Sequence, residues 1–167
     1  MIHCPQKRRT CGADPVSLHG FRMERMVPMT IALLAHDSKK ELMADFCNAY
    51  SGILTHYNII ATASTGNVVR ESTGLKLRTV LPGNLGGSQQ IASLIACGEV
   101  DLVILFNSYS SKAREAEYYN ILRLCDMYTV PVATNIASAE VLVRALGRGD
   151  LDWRNIEMED DRKAQVS

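Results

Sequence analysis

The chain has 167 residues and a mass of 18.4 kDa, and its 18 Lys and Arg residues balance its 18 Asp and Glu residues. A net charge of zero gives no support for binding to nucleic acid or to an acidic membrane surface, and no apolar run approaches the roughly 20 residues needed to span a bilayer. With 47% apolar and 22% charged residues, the sequence predicts a soluble globular domain with a sizeable core.

The first 28 residues differ from the rest of the chain. They have a basic bias, including the cluster Lys7, Arg8 and Arg9, but no hydrophobic periodicity. They also lack the continuous apolar centre of a secretory signal. We therefore expect a folded domain over 29–154 and a charged tail over 155–167, and we expect residues 1–28 to be a disordered extension. The alternative is that they lie upstream of a true start at Met23, Met26 or Met29.

Short apolar runs alternate with helical patterns from residue 29 onwards. Five runs predict strands, at 30–35, 58–63, 76–81, 101–106 and 130–134. Several are apolar at consecutive positions, which is typical of strands buried on both faces. Five segments predict helices, at 39–51, 66–73, 88–98, 118–128 and 138–149. This alternation predicts an α/β fold with a five-stranded, mainly parallel sheet and helices on both faces.

The cysteines give no sign of a metal site. They are odd in number and widely spaced, at Cys4, Cys11, Cys47, Cys97 and Cys125. No Cys-x-x-Cys pair or Cys/His spacing typical of zinc occurs. Three of the five lie in apolar-periodic segments, where small buried thiols are common. We expect reduced thiols in a cytoplasmic protein.

Ligands of parallel sheets bind beyond the carboxyl ends of the strands, so the segments that follow the strands are the candidates for a site. After the second strand, "TASTGN" places the hydroxyls of Thr62, Ser64 and Thr65 beside Gly66 at a helix start. Hydroxyls, backbone amides and a helix dipole together suit a phosphate dianion, and Lys40 adds a positive charge. Serine, threonine and glycine at helix starts are also common cap and turn residues.

Two further strand ends carry candidate residues. In "LPGNLGGSQQ" (81–90), the glycines, Gly83 among them, allow close approach of the backbone to a ligand, and Ser88 stands at the mouth of the next helix. His36 and Asp37 follow the first strand directly, where they can hold a substrate oxygen. The alternative for Asp37 is that it only caps a helix.

Four stretches carry a resemblance to a known family. "IALLAHDSKK", "ATASTGN", "GNLGGSQQIASLIACGEVDLVILF" and "LRLCDMYTVPVATNIASAE", between about Thr30 and Ala145, resemble methylglyoxal synthase. The resemblance implies a parallel α/β domain assembled as a homohexamer, with the active site near the subunit contacts. It implies the conversion of glycerone phosphate to methylglyoxal and phosphate without a metal or organic cofactor. It also implies site residues: Lys40, Thr62, Ser64, Thr65 and Gly83 as phosphate ligands, with His36 and Asp37 at the substrate end.

The catalytic half of the pattern departs from the family. The reaction needs a carboxylate base, and Ser88 stands where the resemblance implies an aspartate. A serine hydroxyl without an activating histidine is too weak a base at neutral pH. After the fourth strand, alignment back from "ILRLC" places Arg114 and Glu117 where the family has a histidine and an aspartate, and Ser108 falls where the family has another aspartate.

Three functions remain open on these grounds. We expect a family member that binds a small phosphorylated metabolite or inorganic phosphate and whose synthase activity is weak or lost. The alternative is an active synthase with a relocated acid, Glu117 or Glu115, although acids in a first helical turn are commonly only solvated. The third is a regulatory nucleotide- or phosphometabolite-binding module, like the methylglyoxal-synthase-like region of carbamoyl phosphate synthetase.

Overall fold

The two most apolar segments of the chain lie side by side at the centre of a parallel sheet. The computed structural model describes residues 28–108 and 115–154. Its strands are β1 (Thr30–Ala35), β2 (Asn58–Thr62), β3 (Arg78–Val80), β4 (Leu102–Phe106) and β5 (Val132–Ala133). Their order is β3-β2-β1-β4-β5, and every pairing is parallel. The predicted five-stranded α/β architecture is confirmed.

Helices cover both faces of the sheet. They are α1 (Lys40–Ala49), α2 (Ser51–Leu54), α3 (Ala63–Thr73), α4 (Gly87–Ala96), α5 (Glu115–Met127) and α6 (Ile136–Gly147), with 3-10 turns at Asp37–Lys39 and Gly83–Leu85. Buried residues of α1, α2, α3 and α6 pack on one face, and those of α4 and α5 pack on the other. Within the described ranges, no helix is long and apolar enough to cross a membrane.

The alternation of side chains along β1 and β4 explains the two cores. Ile31 and Leu33 point into the layer with α1, whereas Ala32 and Leu34 point into the layer with α4 and α5. All five residues of β4 are buried. Fully burying one such aliphatic side chain contributes about 1.5–3 kcal/mol, so a strand that is apolar at every position is stable only between two helical layers.

Some predicted boundaries shift. The second strand ends at Thr62 instead of residue 63, and α3 begins at Ala63 rather than at 66. The predicted helix over 39–51 begins with a 3-10 turn and is interrupted at Tyr50. The edge strands β3 and β5 are shorter than predicted, because each pairs with one neighbour only. The predictions for the N-terminal extension (residue 28 apart), the C-terminal tail and Arg114 lie outside the described residues.

The parallel arrangement positions the site. Since all strands run in one direction, α3, α4 and α5 and the 3-10 turn before α1 begin at the same edge of the sheet, the carboxyl edge. Helices that begin together present their free N–H groups and positive dipole ends to the same space.

Candidate active site

A narrow cleft lies at the carboxyl edge. It encloses about 50 Å³ and is lined by Leu34, Ala35, His36, Thr62, Ser64, Gly83, Ser88, Leu105, Phe106, Asn107, Glu117, Tyr118 and Ile121. Six of these were candidate site residues: His36, Thr62, Ser64, Gly83, Ser88 and Glu117. Thr62 is the last residue of β2, and the other five lie in the segments that follow β1, β2, β3 and β4. The fold therefore brings together residues up to 81 positions apart in the sequence.

The start of α3 forms one wall of the cleft. Thr62 is the N-cap residue, and its side chain does not cap the helix. The Ala63 N–H donates to the Leu81 carbonyl at 3.5 Å. The N–H groups of Ser64 and Thr65, which have no acceptor inside the helix, have none elsewhere among the described residues. This helix start therefore offers two backbone donors to an anion.

Two buried hydroxyls support that wall. The Thr62 hydroxyl donates to Thr65 Oγ1 at 3.1 Å, and both residues are buried. A hydroxyl hydrogen rotates freely between acceptors. Thr65 can therefore donate to Thr62 when Thr62 turns its own hydrogen towards a ligand in the cleft.

The start of α4 forms the opposite wall. The N-cap residue Gly86 has φ of 96°, and no side chain caps the helix. The Gly87 N–H donates to the Pro82 carbonyl at 3.0 Å, so among the described residues the N–H groups of Ser88 and Gln89 are left without acceptors. A Cβ at Gly87 would lie 1.9 Å from the Leu81 carbonyl oxygen. Only glycine permits the close approach that aims this helix at the cleft.

His36 presents a hydrogen-bond donor. Its Nδ1 accepts from the Ser38 N–H at 3.2 Å, and a backbone N–H can only donate. In the neutral ring the hydrogen is therefore on Nε2, which is free to donate to a ligand oxygen. The His36 N–H donates to the Phe106 carbonyl at 2.8 Å, which extends the pairing of β1 with β4 and holds the residue at the strand end.

Four predicted site residues are not among those that line the cleft. Lys40 Nζ forms an ion pair with Asp37 Oδ1 at 2.5 Å, and the Asp37 side chain is 67% exposed. Thr65 is fully buried in the first turn of α3. A Cβ at Gly66 would lie 2.6 Å from Thr79 Cγ2, so Gly66 allows α3 to pack on β3. Direct ligand contacts by these four residues stay predictions.

Glu117 is placed differently from its neighbour Glu115. Glu117 lines the cleft, its Oε1 accepts from Gln89 Nε2 at 3.3 Å, and its Oε2 is shielded from solvent without a partner in the described parts of the chain. Glu115 is exposed and is not among the cleft residues. The expectation of a solvated first-turn acid therefore holds for Glu115 and not for Glu117.

Comparisons with known proteins agree with this architecture. The family model of the MGS-like domain matches residues 42–134. The chain is 51% identical to a methylglyoxal synthase of Caldicellulosiruptor saccharolyticus over 129 residues, which are 77% of this chain and 92% of that protein. A methylglyoxal synthase of Clostridioides difficile is 47% identical, with 77% and 94% covered. The chain belongs to the methylglyoxal synthase family.

A solved structure extends the comparison to three dimensions. The crystal structure of methylglyoxal synthase from Elizabethkingia anophelis NUHP1 matches with a TM-score of 0.64 and 35% identity, covering 70% of this chain and 77% of that one. The family assignment predicted from the motifs is thus confirmed.

Two polar residues of the site were not singled out in the sequence. Asn107 lines the cleft directly after β4, and its position immediately beyond an apolar strand was the available signal. Gln89 contacts Glu117, and no sequence signal predicts a contact between residues 28 positions apart. Ser108 is not among the residues that line the cleft, and its correspondence to a family aspartate stays a prediction.

Proposed function

We propose that the chain binds glycerone phosphate in the carboxyl-edge cleft and converts it to methylglyoxal and inorganic phosphate, with Glu117 as the carboxylate base. The supporting observation is the shielded, unpartnered Oε2 of Glu117 in the cleft that also contains Ser88. A carboxylate from α5 then does the work for which the resemblance implies an aspartate at position 88 of α4.

The phosphate group is bound between the two helix starts. The N–H groups of Ser64, Thr65, Ser88 and Gln89 and the positive ends of α3 and α4 favour a dianion. The apolar floor, formed by residues such as Leu34, Leu105 and Ile121, strengthens these electrostatic interactions by excluding water.

Glu117 removes a proton from the hydroxymethyl carbon of the substrate. The electron pair of the broken C–H bond moves towards the neighbouring carbonyl, whose oxygen becomes negative as an enediolate. His36 Nε2–H donates a hydrogen bond to that oxygen and stabilises the charge. When the carbonyl oxygen accepts this hydrogen bond, the neighbouring carbon loses its proton more readily than it does in water.

Phosphate then leaves with the electron pair of its C–O bond. The electrons of the enediolate double bond form the new C=C bond to the methylene carbon, and the helix starts hold the departing phosphate. The hydroxyl group of the enediolate gives its proton to that phosphate and becomes the aldehyde C=O. The remaining enolate of methylglyoxal takes on its methylene carbon the proton that Glu117 had removed, which completes the methyl group and returns Glu117 to its ionised form. Atoms and charge balance without an oxidant or reductant.

The test compares two acids of one helix. Methylglyoxal formation from glycerone phosphate is measured for the wild type, Glu117→Gln and Glu115→Gln. We expect turnover by the wild type, a loss of about 10²–10⁴-fold in Glu117→Gln, and wild-type turnover in Glu115→Gln. Equal turnover in all three proteins would contradict the assignment of Glu117 as the base.

A second candidate function has its own support. Ser88 itself favours a family member that binds the phosphate ester without converting it, because a serine hydroxyl is a poor base at neutral pH. Binding of glycerone phosphate by a wild type that forms no methylglyoxal would establish this candidate. In that case, Ser88→Asp should produce turnover by restoring a carboxylate on α4, whereas an active wild type would gain much less from the change.

A further inference from the structure

The proposed base reaches the cleft from a helix other than α4, so something must hold its carboxylate in place. Building on the proposed function, we propose that Gln89 is a positioning residue, whose side-chain amide holds one oxygen of Glu117 so that the other faces the substrate. The kinetics of Gln89 and Glu117 variants can distinguish failure of this inference from failure of the proposed function.

The contact itself has a defined direction. Gln89 Nε2 lies 3.3 Å from Glu117 Oε1, and an ionised carboxylate only accepts, so the amide NH₂ group must face Glu117. The amide oxygen then faces the other way, 3.9 Å from the point where a Cβ would lie at Gly86. In the described ranges, this amide is the only hydrogen-bond partner of the Glu117 side chain.

The core beneath the pair keeps the two helices in register. Ile91 and Ile95 of α4 pack in one cluster with Tyr118, Ile121 and Cys125 of α5. Gln89 and Glu117 are each the third residue of their helix. The hydrogen bond therefore joins two helix starts whose relative position is already set by buried side chains.

A glutamate needs such support more than an aspartate does. Its side chain has one more rotatable bond, and a small displacement of a catalytic group is costly in rate. With Oε1 held by Gln89, Oε2 is directed away from the amide, where it is shielded and unpartnered. Gln89 has two roles in this arrangement: its side-chain amide holds Glu117, and its backbone N–H is one of the donors to the phosphate at the start of α4.

The test uses Gln89→Met, which keeps the length of the side chain and the backbone N–H but removes the donor. We expect kcat to fall about 10-fold to 100-fold, with KM for glycerone phosphate within about twofold of the wild type, since the phosphate donors remain. Gln89→Glu places a second carboxylate against Glu117 and should lower kcat further. Thermal unfolding of each variant checks that the fold is retained, and Gln89→Ala provides a second donor-free variant.

A double-mutant cycle shows whether Gln89 acts through Glu117. In a Glu117→Asp background the shorter carboxylate no longer reaches the amide, so Gln89→Met should change kcat little. An equal fall in both backgrounds, or a raised KM with unchanged kcat, would overturn the inference. Wild-type kcat in Gln89→Met together with inactive Glu117→Gln would overturn it while the proposed function stands. A wild type without turnover would overturn both.

Discussion

The openings at the two edges of the sheet differ in volume and in chemistry, and the smaller one contains the candidate site residues. The cleft at the carboxyl edge encloses about 50 Å³. At the opposite edge, where the strands begin, a depression of about 1070 Å³ is lined by residues that include Asn58, Gly74, Lys76 and Glu99. We call it the amino-edge depression. By volume alone it would be the preferred site.

The direction of the helices decides between the two openings. The N-terminal ends of α3 and α4 face the cleft with free N–H groups. The C-terminal end of α3, with Gly74 as its C-cap, lies at the amino-edge depression. The carbonyl end of a helix is unfavourable for anions. Volume therefore indicates where a molecule fits, and the direction of the backbone dipoles indicates which charge it can carry.

Substitution of two glycines, one at each edge, is expected to give the largest difference in the free energy of unfolding. Gly87→Ala drives a Cβ into the Leu81 carbonyl oxygen, so we expect a loss of about 3 kcal/mol or more in the free energy of unfolding and loss of phosphate binding. Gly74→Ala meets no atom within 4 Å and strains only a φ of 69°, which costs about 1 kcal/mol. Urea denaturation of both variants measures the difference, and equal losses would show that the turn before α4 can relax.

Two lysines give a smaller contrast in ligand binding. Phosphate that binds only the native state raises the melting temperature, and Lys40→Met should reduce this rise because it removes a positive charge at the carboxyl edge. Lys76→Met, at the amino-edge depression, should leave the rise unchanged. The melting curves are compared in phosphate and in chloride of equal ionic strength. A reduced rise in Lys76→Met alone would place the phosphate at the other edge.

The helical layers on the two faces of the sheet give the smallest effect at neutral pH, because their buried thiols change the free energy of unfolding only at alkaline pH. Burial raises the pKa of the Cys47 thiol from 9.0 to about 12 and that of Cys125 from 9.0 to about 11. The unfolded chain ionises these thiols first, so their contribution to stability is complete below about pH 9 and is lost as the pH rises towards these raised values.

The urea midpoint should therefore fall between pH 9 and pH 11, and it should fall less steeply in Cys125→Ala, which lacks one of the two thiols. A midpoint that falls equally in both proteins over this range would assign the alkaline loss to other groups.

The sequence by itself determined the order of strands and helices along the chain and the parallel α/β class, and it predicted the edge of the sheet that carries the candidate site. Consecutive apolar positions in 30–35 and 101–106 require cover on both faces, and helices that follow such strands begin at the carboxyl edge. The hydroxyls of Thr62 and Ser64, and the serine at position 88, could be assigned to that edge without coordinates. The fold class and the placement of these residues follow from the local pattern of apolar residues and from the direction in which the strands run.

Only the tertiary structure decided which of two acids faces the cleft. Glu115 and Glu117 are two residues apart in one helix, so their side chains point about 200° apart around its axis, and either could have faced inward. The packing of Tyr118 and Ile121 against α4 turns Glu117 to the cleft and Glu115 to solvent. The rotation of a helix about its axis is set by the partners of its buried face, which are distant in sequence, and so the contact between Gln89 and Glu117 appears only when the chain is folded.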